Sequence, residues 1–229
     1  MAQKLPTDHK NLENVEHVLT NAEQFIEDNQ KILTYVAIAI VALVAGFFGF
    51  KKFYMSPKEK EAQSQIFVAE QYFEKDSFNM ALNGDGSNLG FLQVIDEYGI
   101  TKTAKLAEYY AGICYYKLNN YQSAIEHLKK FKSKDKLVAP IAMGVIGDAN
   151  LEMGNKDAAA DYYLKAANLT DNDFTTPIYL MKAGGVFELL GKYKQALEQY
   201  QQIKDKYPTT MEGRQIDKYI TRAQIKAGV

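Results

Sequence analysis

Few side chains in this sequence stand where they could do chemistry. Asn83, Asp85 and Ser87 put oxygen donors at alternate positions, which is how a calcium-binding loop begins. Such a loop also needs Gly at its sixth position for the turn and a bidentate acid at its twelfth. Those positions hold Asn88 and Val94, so the alternation predicts a plain loop. His9, His17 and His127 are scattered, without ligand spacing or cysteine partners, and give a zinc site no support. His127 lies beside an apolar helix position and is expected at the surface or an edge. Cys114, the one cysteine, sits between Ile113 and Tyr115 with no base nearby, which predicts a buried, inert thiol. No Gly-rich phosphate loop or nucleophile elbow occurs. Asn168-Leu169-Thr170 matches a glycosylation acceptor, a pattern that is frequent by chance and matters only in a secreted eukaryotic setting. No catalytic constellation, cofactor or metal is therefore expected, and the chain reads as a non-enzyme.

The elements that carry these residues are helical and repetitive. Gly112 is followed by Tyr115, Asn119, Tyr121, Ala124, Leu128 and Phe131. At matching offsets Gly147 is followed by Asn150, Gly154, Lys156, Ala159, Tyr163 and Ala166. Gly184 is followed by Phe187, Gly191, Tyr193, Ala196, Tyr200, Ile203 and finally Pro208. The three glycines lie 35 and 37 residues apart, close to the period of a tetratricopeptide repeat, about 34 residues. Each unit reads as a helical hairpin. Its first Gly and later Ala stand where two helices cross closely. Asn119, Gly154 and Gly191 fall at the turn, where a left-handed backbone is needed. Pro140 and Thr176-Pro177 suit the first turn of a helix.

Upstream, Ala62 to Lys75 and Leu89 to Tyr98 read as a divergent first hairpin joined through Asn83–Asn88. Downstream, Thr209 to Glu212 forms a capping-box pattern, and Ile216, Tyr219, Ile220 and Ala223 mark a helix covering the other end of the stack. The expected fold class is all-α: a TPR-type α-solenoid of stacked hairpins with a C-terminal capping helix, preceded by a transmembrane helix.

That preceding helix runs from Ile32 to Phe50, nineteen residues without a charge. They would span about 28 Å, near the thickness of a bilayer's hydrocarbon core. A cleaved signal peptide needs a basic start and an early apolar stretch, whereas about thirty residues of acidic balance come first here. Ala39, Ala42, Gly46 and Gly49 share one face of the helix, a pattern suited to helix–helix association in lipid. Before the membrane, Leu12, Val15, Leu19, Ala22, Ile26 and Leu33 outline an amphipathic helix. Beyond it, Ser56-Pro57-Lys58-Glu59 has the order of a capping box that starts a new helix.

Composition narrows the partners. The 229 residues are 47% hydrophobic, with a formal net charge of -1. All but Arg214 and Arg222 of the 27 basic residues are Lys, which argues against nucleic acid. A single cysteine fits either the cytoplasm or a periplasmic domain. What is left is protein binding. Carried over by repeat register, the concave face includes Tyr109, Ile113, Tyr116 and Lys117 from the first unit. Asp148, Leu151 and Glu152 come from the second, and Met181, Glu188 and Leu189 from the third. Where the TPR domains that grip acidic chaperone tails carry Lys and Asn, this chain has Tyr109 and Ile113, which disfavours a carboxylate clamp.

The order of parts, with Phe25 and Asn29-Gln30-Lys31 just before a single spanning helix and then the repeats, resembles the YfgM-like ancillary subunits of the Sec translocon. The resemblance implies a bacterial inner-membrane protein with a cytoplasmic N-terminus and a periplasmic TPR domain. Such a protein would act as a scaffold that associates with the translocon and hands emerging proteins to periplasmic chaperones. Lys51 and Lys52 would then snorkel at the outer interface. Read from charge alone, Lys51, Lys52, Lys58 and Lys60 against the single Lys31 place the domain in the cytoplasm, as in a membrane-tethered receptor or assembly factor. The layout read from the sequence is a tail over 1–31, a spanning helix over 32–50 and a juxtamembrane stretch over 51–61. A divergent hairpin follows over 62–104, then repeats over 105–139, 140–176 and 177–208, and a capping helix over 209–229.

Overall fold

The computed structural model describes residues 25–229, and every regular element among them is helical. Most of the expected tail helix, including Leu12, Val15, Leu19 and Ala22, lies outside the described residues, as do His9 and His17. The described residues fall into two units that divide between Ser56 and Pro57.

In the first unit, α1 (Gln30–Phe50) buries none of its 21 residues. At about 31 Å it is long and apolar enough to cross a membrane. The Thr34 hydroxyl within it is satisfied locally, Oγ1 donating to the Gln30 carbonyl at 2.7 Å. Ala39, Ala42, Gly46 and Gly49 lie on a surface with no neighbour: a methyl group added at either glycine would meet nothing within 4 Å. A π-helical turn, Lys51–Met55, follows. There the Phe50 and Tyr54 rings stack at 5.1 Å and Lys52 lies over Phe53. The expected N-cap role of Ser56 is corrected. Ser56 has helical dihedrals, φ -68 and ψ -43, and its N–H bonds the Lys51 carbonyl. A residue whose own backbone is helical and hydrogen-bonded cannot act as an N-cap.

In the second unit, α2 (Ser56–Glu74), α3 (Phe78–Asn83) and α4 (Phe91–Tyr98) precede α5 (Lys102–Lys117) and α6 (Tyr121–Lys130). Then come α7 (Val138–Glu152), α8 (Lys156–Leu169), α9 (Thr176–Leu189), α10 (Tyr193–Lys206), α11 (Met211–Gln215) and α12 (Asp217–Ala227). The divergent first hairpin thus contains an extra short helix, α3, that the apolar spacing did not mark. From α4 to α10 each helix packs on its sequence neighbours, and α12 closes the stack against α10. This is the nearest-neighbour arrangement of a solenoid.

The repeat positions explain why these hairpins form. Asn119, Gly154 and Gly191 have φ of 60°, 79° and 71°, the left-handed turn their spacing predicts. Ala124, Ala159 and Ala196 are fully buried at the helix crossings. A methyl group on Gly147 would come within 2.6 Å of the Tyr163 ring. Gly112 faces Leu128, and Gly184 faces Tyr200, with no more room. In all three cases the partner lies sixteen residues on.

Helix starts are held by specific acceptors. Thr101 caps α5 by accepting from the Ala104 N–H at 3.0 Å, and Asn120 caps α6 through Ser123. Glu59 of α2 supplements the first, taking the N–H groups of Lys102 and Thr103 at 2.7 and 3.2 Å and the Thr103 hydroxyl at 2.7 Å. The capping residue before α11 is Thr210, accepting from Gly213 at 3.1 Å, and not Thr209. The downstream helix breaks at Ile216 into α11 and α12.

Candidate protein-binding face

The first helices of the hairpins, α5, α7 and α9, carry the side chains that the repeat register assigns to binding. On α5, Tyr109, Ile113 and Tyr116 are half-buried and pack against a cluster that contains Phe131, Ala142 and Ile146. Tyr109 lies 5.2 Å from the Phe131 ring, and Tyr116 lies 5.7 Å from Tyr121. Lys117 is exposed. Leu151 on α7 and Met181 on α9 are half-buried against the largest core cluster. Glu152 and Leu189 are exposed, Leu189 by 62%. Apolar side chains half in the core and half in solvent offer a ready contact surface.

Asp148 and Glu188 are not free acids. Asp148 accepts from the Tyr163 hydroxyl of α8 at 2.5 Å and from Lys182 Nζ of α9 at 2.7 and 2.9 Å. The Lys182 ammonium also lies 5.4 Å from the Tyr163 ring centroid and 5.9 Å from that of Tyr179. Glu188 accepts from the Tyr200 hydroxyl of α10 at 2.8 Å and from Arg222 of α12 at 2.9 Å. Each acid is thus tied to the second helix of its own hairpin and to a base 34 residues on.

The tyrosines register this enclosure. Burial first, and then the bond to Asp148, pushes the Tyr163 hydroxyl far above the usual tyrosine range. Burial followed by the Asp148 charge does the same to Tyr179, and burial followed by Glu188 to Tyr200. Tyr116 is raised by burial and then by Asp148 and Glu152. All four stay protonated donors at neutral pH. The middle of this face is therefore a polar network closed on itself, while its α5 end is aromatic and apolar.

The repeat register assigns Lys182, Tyr179 and Arg222 no place on this face. Their spacing carries a signal: Asp148 to Lys182 and Glu188 to Arg222 are opposite charges each one repeat length apart.

Other polar groups are accounted for. His127, expected at the surface or an edge, is instead tucked in, its side chain 16% exposed. Its Nδ1 lies 2.6 Å from Glu108 Oε2, and its ring stacks on Tyr115 at 5.2 Å. The nearby Glu108 and Tyr115 make a half-buried position favourable for imidazole. Cys114 is fully buried, and burial pushes its thiol up to about 12. Asp85 accepts from the Ser87 and Asn88 N–H groups and from Tyr72, so it closes a turn. No grouping of three metal-ligating side chains occurs among the described residues.

Comparison with known proteins agrees with this geometry. A model of the tetratricopeptide repeat family matches residues 106–136 and 179–210, the first and third of the three periodic units. No curated protein matches the chain. Among solved structures, one crystal structure of MamA protein superposes with a TM-score of 0.55 at 21% identity, covering 76% of this chain and 85% of that one. A second crystal structure of MamA gives 0.51 at 20%, covering 70% and 95%. The nearly identical TPR-like repeats of a Podosopora anserina kinesin light chain candidate give 0.56 at 14%, covering 74% and 88%. At these identities the likeness concerns the fold, a TPR-type α-solenoid.

Proposed function

We propose that this chain is a membrane-anchored scaffold whose TPR-type domain binds other proteins through the first-helix face. The observation that carries the reading is the pairing of an apolar helix with no buried residue and a repeat surface of half-buried Tyr109, Ile113 and Tyr116. Neither feature serves chemistry, and both are suited to association. The α5 end takes the partner's apolar side chains, since the acids further along are already engaged by Lys182 and Arg222. A photo-crosslinking amino acid at Ile113, with one at the exposed Glu198 as control, tests this in native membranes. Adducts formed only from Ile113 are expected; equal labelling from both positions would refute the assignment.

The finer reading, drawn from the family resemblance, is a Sec translocon partner in a bacterial inner membrane. Its domain would be periplasmic and would pass emerging proteins to chaperones. Its support is the juxtamembrane Phe25 and Asn29-Gln30-Lys31 together with the order of parts. Recovery of translocon subunits among the Ile113 adducts is the expected result. The lysines at 51, 52, 58 and 60 favour the alternative, a tethered receptor facing the cytosol. Protease added to intact spheroplasts separates the two: digestion of the domain supports the periplasmic reading, and protection supports the cytosolic one. In either case the Ala39, Ala42, Gly46 and Gly49 face is proposed as the part of the anchor that packs on another membrane helix.

A further inference from the structure

Away from the first-helix face, the edge where α5 begins and α6 hands over to α7 carries a dense positive charge. Five lysines fall within the eight residues 129–136, and Lys102 and Lys105 join them from α5, in a chain whose net charge is -1. Among the described residues none of these seven takes part in an ion pair. Two carboxylates lie at the patch, Asp135 in the cavity lining itself, and both are engaged by backbone N–H groups. Asp135 accepts from the Leu137 and Val138 N–H groups, both at 2.8 Å, at the start of α7. Glu59 is bound to Lys102 and Thr103 N–H at the start of α5.

Within the patch lies a cavity of about 640 Å³ rimmed by Lys102, Lys105, Lys132 and Lys134. Its floor is apolar, formed by Leu106, Phe131 and Val138. The loop that shapes it is fixed where it enters α7. Asp135 anchors it to α7, and the Lys136 carbonyl accepts from Thr170 of the next hairpin at 2.8 Å.

We infer that this cavity is a second docking site, for an acidic segment of a partner protein that carries a large apolar side chain among its carboxylates. The apolar floor takes the side chain, and the four rim ammoniums take the carboxylates. Lysine fits this role, since its flexible point charge needs no fixed acceptor geometry. Nucleic acid is disfavoured because the cavity lining has no Arg and its one aromatic, Phe131, is buried as floor and cannot stack on bases. A flat bilayer surface would leave the recess unfilled. The site is separate from Ile113 and does not depend on the first-helix face being a binding surface.

The test uses the full chain in neutral-lipid nanodiscs and a fluorescein-labelled decapeptide of Asp and Glu with one central Phe, read by anisotropy. Binding is expected, weakening about tenfold when salt rises from about 50 to 300 mM. The quadruple variant Lys102→Gln, Lys105→Gln, Lys132→Gln, Lys134→Gln should lose at least about tenfold in affinity, and replacing the peptide's Phe by Ser should lose a comparable factor. All four substituted side chains are exposed, and circular dichroism confirms that the variant is folded. No binding at low salt, or binding indifferent to the four substitutions, would overturn the inference. Equal or tighter binding of a single-stranded DNA decamer, or of phosphatidylglycerol vesicles, would overturn it as well. Ile113→Asp should leave peptide binding intact, which separates failure here from failure of the first-helix face.

Discussion

The first repeat hairpin, α5–α6, and the two that follow solve the same packing problem with different chemistry. In each, a glycine on the first helix faces a residue sixteen positions on: Leu128, Tyr163 and Tyr200. Leu128 ends inside the core, whereas the two tyrosines run past their glycines and reach carboxylates, Asp148 and Glu188. Those carboxylates then hold Lys182 of the next hairpin and Arg222 of the closing helix α12. Where Asp148 directly follows Gly147, Ile113 directly follows Gly112, so the first hairpin has no acid at that place. Its acid, Glu108, is taken by His127 within the same hairpin. The boundary from α5 to α7 is thus apolar, while the boundaries beyond are pinned by charge. A solenoid can hold its stacking with polar ties and leave one end sticky for a partner.

The largest effects should come from the packing that the three hairpins share. Leu128→Ala, Tyr163→Ala and Tyr200→Ala should each cost about 3 to 5 kcal/mol in urea denaturation of the full chain in detergent, since each empties a fully enclosed pocket. A much smaller loss at Leu128 alone would mean that the first hairpin is packed more loosely than the others.

Removing only the hydroxyl separates the hairpins. Tyr163→Phe and Tyr200→Phe should cost about 1 kcal/mol each. Both hydroxyls are raised well above the usual tyrosine range by burial and then by their acids. Folding keeps them protonated after the unfolded chain has begun to ionise near pH 10, so their contribution is complete below that pH and lost as pH rises. The Phe variants should therefore show a shallower alkaline loss of stability. The converse experiment moves the polar tie. Leu128→Tyr should destabilise by about 1 to 3 kcal/mol, because its hydroxyl would be buried without an acceptor. Adding Ile113→Asp should recover about 1 kcal/mol of that in a double-mutant cycle. No coupling would show that sequence offset alone does not place the two groups together.

How far these ties could be read from the sequence follows from their range. The glycine, alanine and turn positions are local and periodic, so Gly147, Ala159 and Gly154 announce a hairpin on their own. The caps were harder. Ser56-Pro57-Lys58-Glu59 has the order of a capping box, yet Glu59 spends its carboxylate on α5, over forty residues away. Thr209 and Thr210 are neighbours of one type, and only the backbone decides which accepts from Gly213. His127 gave no sign of Glu108, nineteen residues before it. The proposed binding residues read by register lie on the first helices of the hairpins, but register treats Asp148 and Glu188 as available. The bases that occupy them belong to later elements, and only the three-dimensional packing brings them close.

Smaller effects are expected at the inter-repeat ion pairs. Lys182→Ala and Arg222→Ala should each cost about 0.5 to 1 kcal/mol, because both cations are substantially exposed and screened by solvent. Their cost should shrink with salt, whereas that of the Tyr→Phe variants should not. Freed of Lys182, Asp148 would present a net negative charge beside Tyr116, so Lys182→Ala should also strengthen any contact with a basic partner segment.

The smallest effect compares two carboxylates on α2 whose pH dependence has opposite sign. Burial would raise Glu59, but the bonds it accepts from Thr103 and the Lys102 N–H outweigh it and hold the carboxyl below its usual range. Its contribution is therefore present above the unfolded value and is lost as pH falls through the folded one. Glu70 is raised, by burial first and by Glu74 next, so its contribution is present below the unfolded value and is lost as pH rises. Glu59→Gln should lower the melting temperature at pH 7 and lose that effect on acidification. Glu70→Gln should raise it at pH 7, with the gain fading in acid. Melting curves for both variants between pH 3 and 7 check the signs. A parallel response would mean that α2 is docked through its apolar face alone, with Glu59 contributing nothing to the start of α5.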